Sequence, residues 1–122
     1  MSKKILLIED DALVRDSIVD LLMIGGFDVD VAENGKVGLE RIEQSHPDLV
    51  ICDVMMPVMD GYEVLEELKS SGKINELYFM FLSAKSREAD MQKGMELGAH
   101  DYFFKPFRNM ELLDKVEQVL SN

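Results

Sequence analysis

Leu49-Val50-Ile51-Cys52-Asp53-Val54-Met55-Met56-Pro57-Val58-Met59-Asp60-Gly61 is the stretch that decides the fold. Four apolar residues run straight into a carboxylate, the pattern of a buried strand delivering one acid to a loop. Pro57 has no amide hydrogen and so ends any pairing, and Asp60-Gly61 supplies turn chemistry where a helix can begin. Asp53 therefore stands at the carboxyl end of a strand, where open α/β sheets hold their ligands. A single acid in that place could equally well do no more than terminate a strand. The other strands have to decide.

Outward from this run, the same grammar repeats. Ile5-Leu6-Leu7-Ile8 is a short apolar strand that stops at Glu9-Asp10-Asp11. A helix follows over 12–23, with Val14, Ile18, Leu21 and Leu22 on one face, and Gly25-Gly26 ends it. Phe27, Val29 and Val31 alternate with Asp28 and Asp30, which predicts a half-buried strand near a sheet edge. Asn34-Gly35 reads as a turn, and Val37, Leu39 and Ile42 mark a second helix closed by Ser45-His46-Pro47. Beyond the central strand, Val64, Leu65 and Leu68 form a third helix ended by Ser70-Ser71-Gly72. Tyr78-Phe79-Met80-Phe81-Leu82 is continuously apolar, as befits a strand covered on both faces, and ends at Ser83. The fourth helix, 87–97, has a poor apolar stripe (Ala89, Met91, Met95) and is expected to be loosely held. Tyr102-Phe103-Phe104 ends in Lys105-Pro106, and Asn109 is expected to cap a last helix carrying Leu112, Leu113, Val116, Val119 and Leu120.

Strand and helix alternate five times. The expected architecture is a doubly wound α/β domain over 1–122, a five-stranded parallel sheet with helices on both faces; the order 2-1-3-4-5 is one of few that fit. At 122 residues the chain can bury a full core as one domain. A formal net charge of −11 argues against nucleic-acid or anionic-membrane partners that bind through bulk charge. With one cysteine, Cys52, no disulfide can form within the chain, which suits a reducing, cytoplasmic setting. The apolar run at 5–8 is too short for a signal sequence or a membrane span.

In a parallel sheet every strand ends on the same rim, so Asp10, Asp11, Asp53, Ser83 and Lys105 are expected to converge. Folding does not require three carboxylates, a hydroxyl and an ammonium at the ends of four strands. A divalent cation and a phosphoryl group do. Clustered carboxylates repel unless a cation or proton intervenes, and a hard cation such as Mg²⁺ takes carboxylate, water and phosphate oxygens. Lys105 can neutralise remaining charge, and the Ser83 hydroxyl can bond a phosphoryl oxygen.

These residues, in this order, resemble the receiver domain of two-component response regulators along the whole chain: Glu9-Asp10-Asp11, Asp53 to Gly61, Leu82-Ser83-Ala84, Gly98-Ala99-His100-Asp101-Tyr102 and Lys105-Pro106-Phe107. The 2-1-3-4-5, flavodoxin-like order belongs to a chemotaxis member of that family, so the resemblance supports it. It implies that Asp53 is the phosphoacceptor, charged by a sensor histidine kinase or a histidine phosphotransfer protein. It also implies Mg²⁺, with Mn²⁺ as an alternative, held by Asp11 and Asp53 directly, by Asp10 through water and by the backbone carbonyl of Met55.

Further roles follow from the resemblance alone. Ser83 and Tyr102 would form a switch in which the tyrosine swings from an exposed to a buried rotamer, and Lys105-Pro106 would be a cis peptide. Met55 and Lys85 would set the lifetime of the acyl phosphate. The face made by the fourth helix, fifth strand and fifth helix would control an output domain or protein, with a phosphorylation-dependent homodimer as one form. Such a domain phosphorylates and dephosphorylates itself without being a turnover enzyme. His46 and His100 are expected to be surface residues of small consequence, and Met91 and Met95 could adapt to a partner.

Two readings compete. An aspartate-nucleophile phosphatase would use Mg²⁺ similarly, but such enzymes place a second Asp two residues after the nucleophile, where this chain has Met55. A phosphate-independent interaction module of the same fold would normally have lost an acid or the lysine. A nucleotide site would need a Gly-rich loop at a strand-to-helix turn, and the sequence has none.

Overall fold

The computed structural model describes residues 2–84 and 87–121, so Lys85 lies outside the described residues. Strands β1 (Lys4–Ile8), β2 (Asp28–Ala32), β3 (Leu49–Cys52), β4 (Tyr78–Ser83) and β5 (Asp101–Phe104) form one parallel sheet in the order β2-β1-β3-β4-β5. Helices α1 (Ala12–Ile24), α2 (Gly35–Ser45), α3 (Gly61–Ser71), α4 (Glu88–Glu96) and α5 (Asn109–Val119) make the crossovers, with a 3₁₀ turn at Lys73–Glu76 before β4.

Period-two alternation sorts the strand side chains into two cores. Leu6, Ile8, Val50, Cys52, Phe79 and Phe81 face α2, α3 and α4, and meet Ile42, Val64, Leu65 and Leu68. Ile5, Leu7, Leu49, Ile51, Met80 and Leu82 face α1 and α5, and meet Ile18, Leu22, Leu112 and Val116. Each fully buried Leu, Ile or Phe contributes roughly 1.5–3 kcal/mol. The three inner strands carry most of these side chains, so the rim between β1, β3 and β4 rests on the stiffest part of the molecule. β2 lies at one edge and is half-buried, as expected, but its burial does not alternate: Val29, Asp30 and Val31 are all intermediate.

Local chemistry refines several boundaries. Asn34-Gly35 is not a free turn: Asn34 is the N-cap of α2 and accepts from the Val37 N–H. Asp60 caps α3 in a capping box with Glu63, each side chain bonding the other residue's amide. Asn109 does not cap α5; it is the first helical residue, and the N-cap is Arg108, with no side-chain bond. His100 is exposed yet tied to the sheet. Its amide donates to the Phe79 carbonyl, its Nδ1 accepts from the Phe79 N–H at 3.0 Å, and its ring stacks on Tyr78. The imidazole thus lengthens the β4–β5 ladder by one residue. Among the described residues no helix is long and apolar enough to cross a membrane.

Candidate functional site

Four strand ends meet on one rim. β1 finishes at Ile8, and the next amide, Glu9, donates to Ala32 while Asp53 donates to Ile8. Lys105, leaving β5, donates its amide to the Ser83 carbonyl at 2.8 Å, and the Lys105–Pro106 peptide is cis. Lys105 Nζ then reaches Glu9 Oε1 at 2.7 Å and Asp53 Oδ2 at 3.4 Å. Asp53 is only 9% exposed, and Ser83 is buried beside it.

The carboxylates that gather are Glu9, Asp10 and Asp53, each with an oxygen within 4.8 Å of the others. Asp11 lies outside this group in the structure. Asp11 is the N-cap of α1, and its Oδ1 accepts from the Leu13 and Val14 amides. An acid immediately before the first helical residue is drawn to the free amides of that helix. Its place in the sequence, one residue before the helix begins, was the signal. Glu9, which the rim argument left out, points inward instead and is 1% exposed. Its Oε2 accepts from the Asp11 N–H, and its carbonyl accepts from Arg15 Nη1.

Burial and the neighbouring Asp53 charge push the Glu9 carboxyl up from 4.5 to about 7, against the opposing pull of Lys105. Lys105 is held above its ordinary value: desolvation lowers it, and Glu9 and Asp53 together outweigh that. A pH dependence follows for the metal-free protein. Folding takes up a proton on Glu9 between its ordinary value and about 7, so stability is full below that window and falls as pH rises through it. The loss is up to about 3 kcal/mol. Urea denaturation in chelator across this range measures it, and Glu9→Gln should flatten the slope. A slope that persists in the variant would refute the assignment.

The loop after Asp53 carries strain. Val58 sits at φ 71, a left-handed conformation that a β-branched residue adopts at a cost of about 1–2 kcal/mol, and its side chain is 75% exposed. Val58→Gly should therefore stabilise the protein by about 0.5–1 kcal/mol after the extra unfolded-state entropy of glycine is subtracted. A denaturation midpoint that falls would contradict this.

Tyr102 lies inward. The residue is 6% exposed, its ring packs 5.7 Å from Phe81 and 5.4 Å from Phe104, and Ser83 and Tyr62 are among the groups that act on its phenol. The exposed starting rotamer anticipated for this residue is therefore not the one adopted in this structure. Burial pushes both phenols up, Tyr62 to about 12. Met55, two residues after Asp53, is exposed. Cys52 is fully buried, its thiol facing the Asp53 carbonyl, and desolvation holds it well above its usual range. It is inert.

This arrangement can present one carboxylate oxygen to an electrophile while Lys105 stands within reach of the developing charge. Glu9, Asp10 and Asp53 offer hard oxygen ligands of the kind a small divalent cation takes.

Comparison with known proteins agrees with the geometry. The family described as "Response regulator receiver domain" matches residues 5–117. Response regulator MprA of Mycolicibacterium vanbaalenii is 38% identical over 120 residues, covering 98% of this chain and 51% of that protein. The chain thus spans about half the length of the curated relatives it matches. Chemotaxis protein CheY4 of Vibrio cholerae superposes with a TM-score of 0.91 at 27% identity, over 98% of this chain and 100% of that one. The receiver domain of Francisella response regulator 1452 gives 0.90 at 31% identity, over 97% and 96%. With the strand order and the rim cluster already in place, these likenesses establish that the chain belongs to the response regulator receiver domain family, a domain of two-component signalling.

Proposed function

We propose that residues 1–122 act as one phosphoacceptor unit, in which Asp53 takes a phosphoryl group from a phosphohistidine on a kinase or phosphotransfer partner. An Asp53 Oδ attacks phosphorus, the P–N bond breaks with its electron pair returning to the imidazole, and an acyl phosphate forms. Lys105 neutralises charge on the incoming phosphoryl oxygens, and the Ser83 hydroxyl donates to one of them. The observation that carries this reading is the Lys105 ammonium at 2.7 Å and 3.4 Å from two inward carboxylates at the sheet rim.

The carboxylates of Glu9, Asp10 and Asp53, with the Met55 carbonyl, would hold Mg²⁺, or Mn²⁺ in its place. When bound, that cation supplies charge neutralisation among these acids and the phosphoryl oxygens. Met55 and Lys85 would limit water access to the acyl phosphate.

The partner would dock on α1. An apolar groove of about 510 Å³ between α1 and the loop after β5 opens beside Lys105, lined by Leu13, Val14, Leu21 and Phe107, and Leu13 is 81% exposed. The output partner, or a second copy of the chain, would use the α4-β5-α5 face, where Phe104 and Met95 are exposed and a second groove of about 520 Å³ lies. A cytoplasmic setting suits both. Incubation with a small phosphodonor and Mg²⁺ tests the reading. The mass should rise by one acid-labile phosphoryl group, whereas continuous donor hydrolysis would point to a phosphatase and no change to an inert module.

A further inference from the structure

Helix α4 buries few side chains against the sheet, with Met91 half-buried against the core. Gly94 is its single buried residue among those described, and the helix approaches so closely there that a Cβ would lie 3.0 Å and 3.1 Å from the Phe81 and Tyr102 rings. A further tether comes from α3. Tyr62 stands edge-on to Phe81 at 5.4 Å, its hydroxyl donates to the Asp90 carbonyl at 3.4 Å, and Lys93 Nζ sits 4.3 Å over its ring. The Tyr62 and Tyr102 phenols perturb each other's ionisation, and Ser83 perturbs that of Tyr102, as neighbouring polar groups do. Ser83, Tyr102 and Tyr62 thus lie as interacting polar groups between the rim site and the α4 backbone, and Tyr62 is a residue that no part of the phosphoryl chemistry uses.

We propose that Tyr62 is a positioning residue, a strut from α3 that ties the seating of α4 to the state of the Ser83–Tyr102 pair. A phenol has one proton to donate. While Ser83 and Tyr102 are paired, Tyr62 gives its proton to the Asp90 carbonyl and holds α4 down. When the Ser83 O–H turns to a phosphoryl oxygen, Tyr102 loses that donor and gives its own O–H to the Ser83 oxygen, the Tyr62 O–H turns from the Asp90 carbonyl to the Tyr102 oxygen, and the α4 carbonyl is released. The second half of this sequence rests on the proposed function; the first half does not.

Hydrogen–deuterium exchange on wild type and Tyr62→Phe, with and without phosphodonor and Mg²⁺, tests it, while intact mass follows phosphate uptake. The variant keeps the ring, its contact with Phe81 and the Lys93 cation. In the unphosphorylated variant the 88–96 amides should exchange about fivefold faster, the size of one lost hydrogen bond, with β1, β3 and phosphate uptake unchanged. Phosphorylation should accelerate α4 in wild type and add less in the variant. Unchanged α4 exchange, or equal acceleration through the whole sheet, overturns the proposal. Should Tyr62→Phe not fold, Lys93→Gln loosens the same ring from its exposed side and is judged on the same amides. A wild type that takes no phosphate would refute the functional reading, while the unphosphorylated comparison still decides whether Tyr62 holds α4.

Discussion

Asp53→Asn is expected to abolish phosphate uptake, with a loss of at least about a hundredfold, the scale on which removal of a single charge-stabilising or reacting group acts. An amide oxygen keeps the shape of the site and loses the anionic nucleophile. The fold should not suffer, because the substitution removes a like charge that faces Glu9 and raises its carboxyl. Lys105 has a second anionic partner, Glu9, at 2.7 Å, so losing the Asp53 charge does not leave the ammonium unpaired. Thermal unfolding should therefore shift upward or stay level while labelling by a small phosphodonor disappears. Residual labelling at the wild-type rate would place the acceptor elsewhere and remove the basis of the proposed function.

Gly61→Ala is expected to be the most damaging small substitution on the rim. A Cβ at Gly61 would overlap the Asp53 carbonyl oxygen and lie 3.0 Å from both the Val54 Cα and the Phe81 ring. Two of these three atoms are backbone, and the Gly61 amide already donates to the Val54 carbonyl at 2.8 Å. Neither side can move without pulling Asp53 off the rim. Overpacking of this kind costs about 3 kcal/mol, or more where backbone must yield. Urea denaturation should record that loss, and phosphate uptake by the folded fraction should slow as well. At Gly94 the close atoms belong to side-chain rings, which can tilt, so Gly94→Ala should be milder and felt at α4 rather than at Asp53. A Gly61→Ala protein as stable as wild type would show that the loop after β3 is far softer than its packing implies.

Much of this was legible before any coordinates. The apolar runs at 5–8, 49–52 and 78–82 each end in a chemically marked residue, and a sheet whose strands all run one way brings those ends together. Asp53, Ser83 and Lys105 followed from that geometry, and the weak stripe of α4 matches a helix with Gly94 as its one fully buried residue among those described. Where three acids stand in a row, the string alone was ambiguous. Glu9, Asp10 and Asp11 differ by single residues, and each step along the exit of β1 turns the side chain to a different side. The cap of α5 failed for a related reason: Asn109 has cap chemistry, but helix termini are set by backbone geometry within a residue or two.

The order of apolar and polar residues by itself determined the alternating layers, the parallel sheet and the rim on which the acids meet, because burial of apolar faces leaves few other ways to pair five such strands. Only the tertiary structure decided which carboxylates turn inward. Capping free amides drew Asp11 onto α1, and an ammonium arriving from ninety-six residues away drew Glu9 into the site. It also decided that Tyr62 of α3 meets α4 and that Gly94 lets α4 approach the Phe81 and Tyr102 rings, both silent in sequence, since close approach between elements distant in the chain leaves no mark on either one.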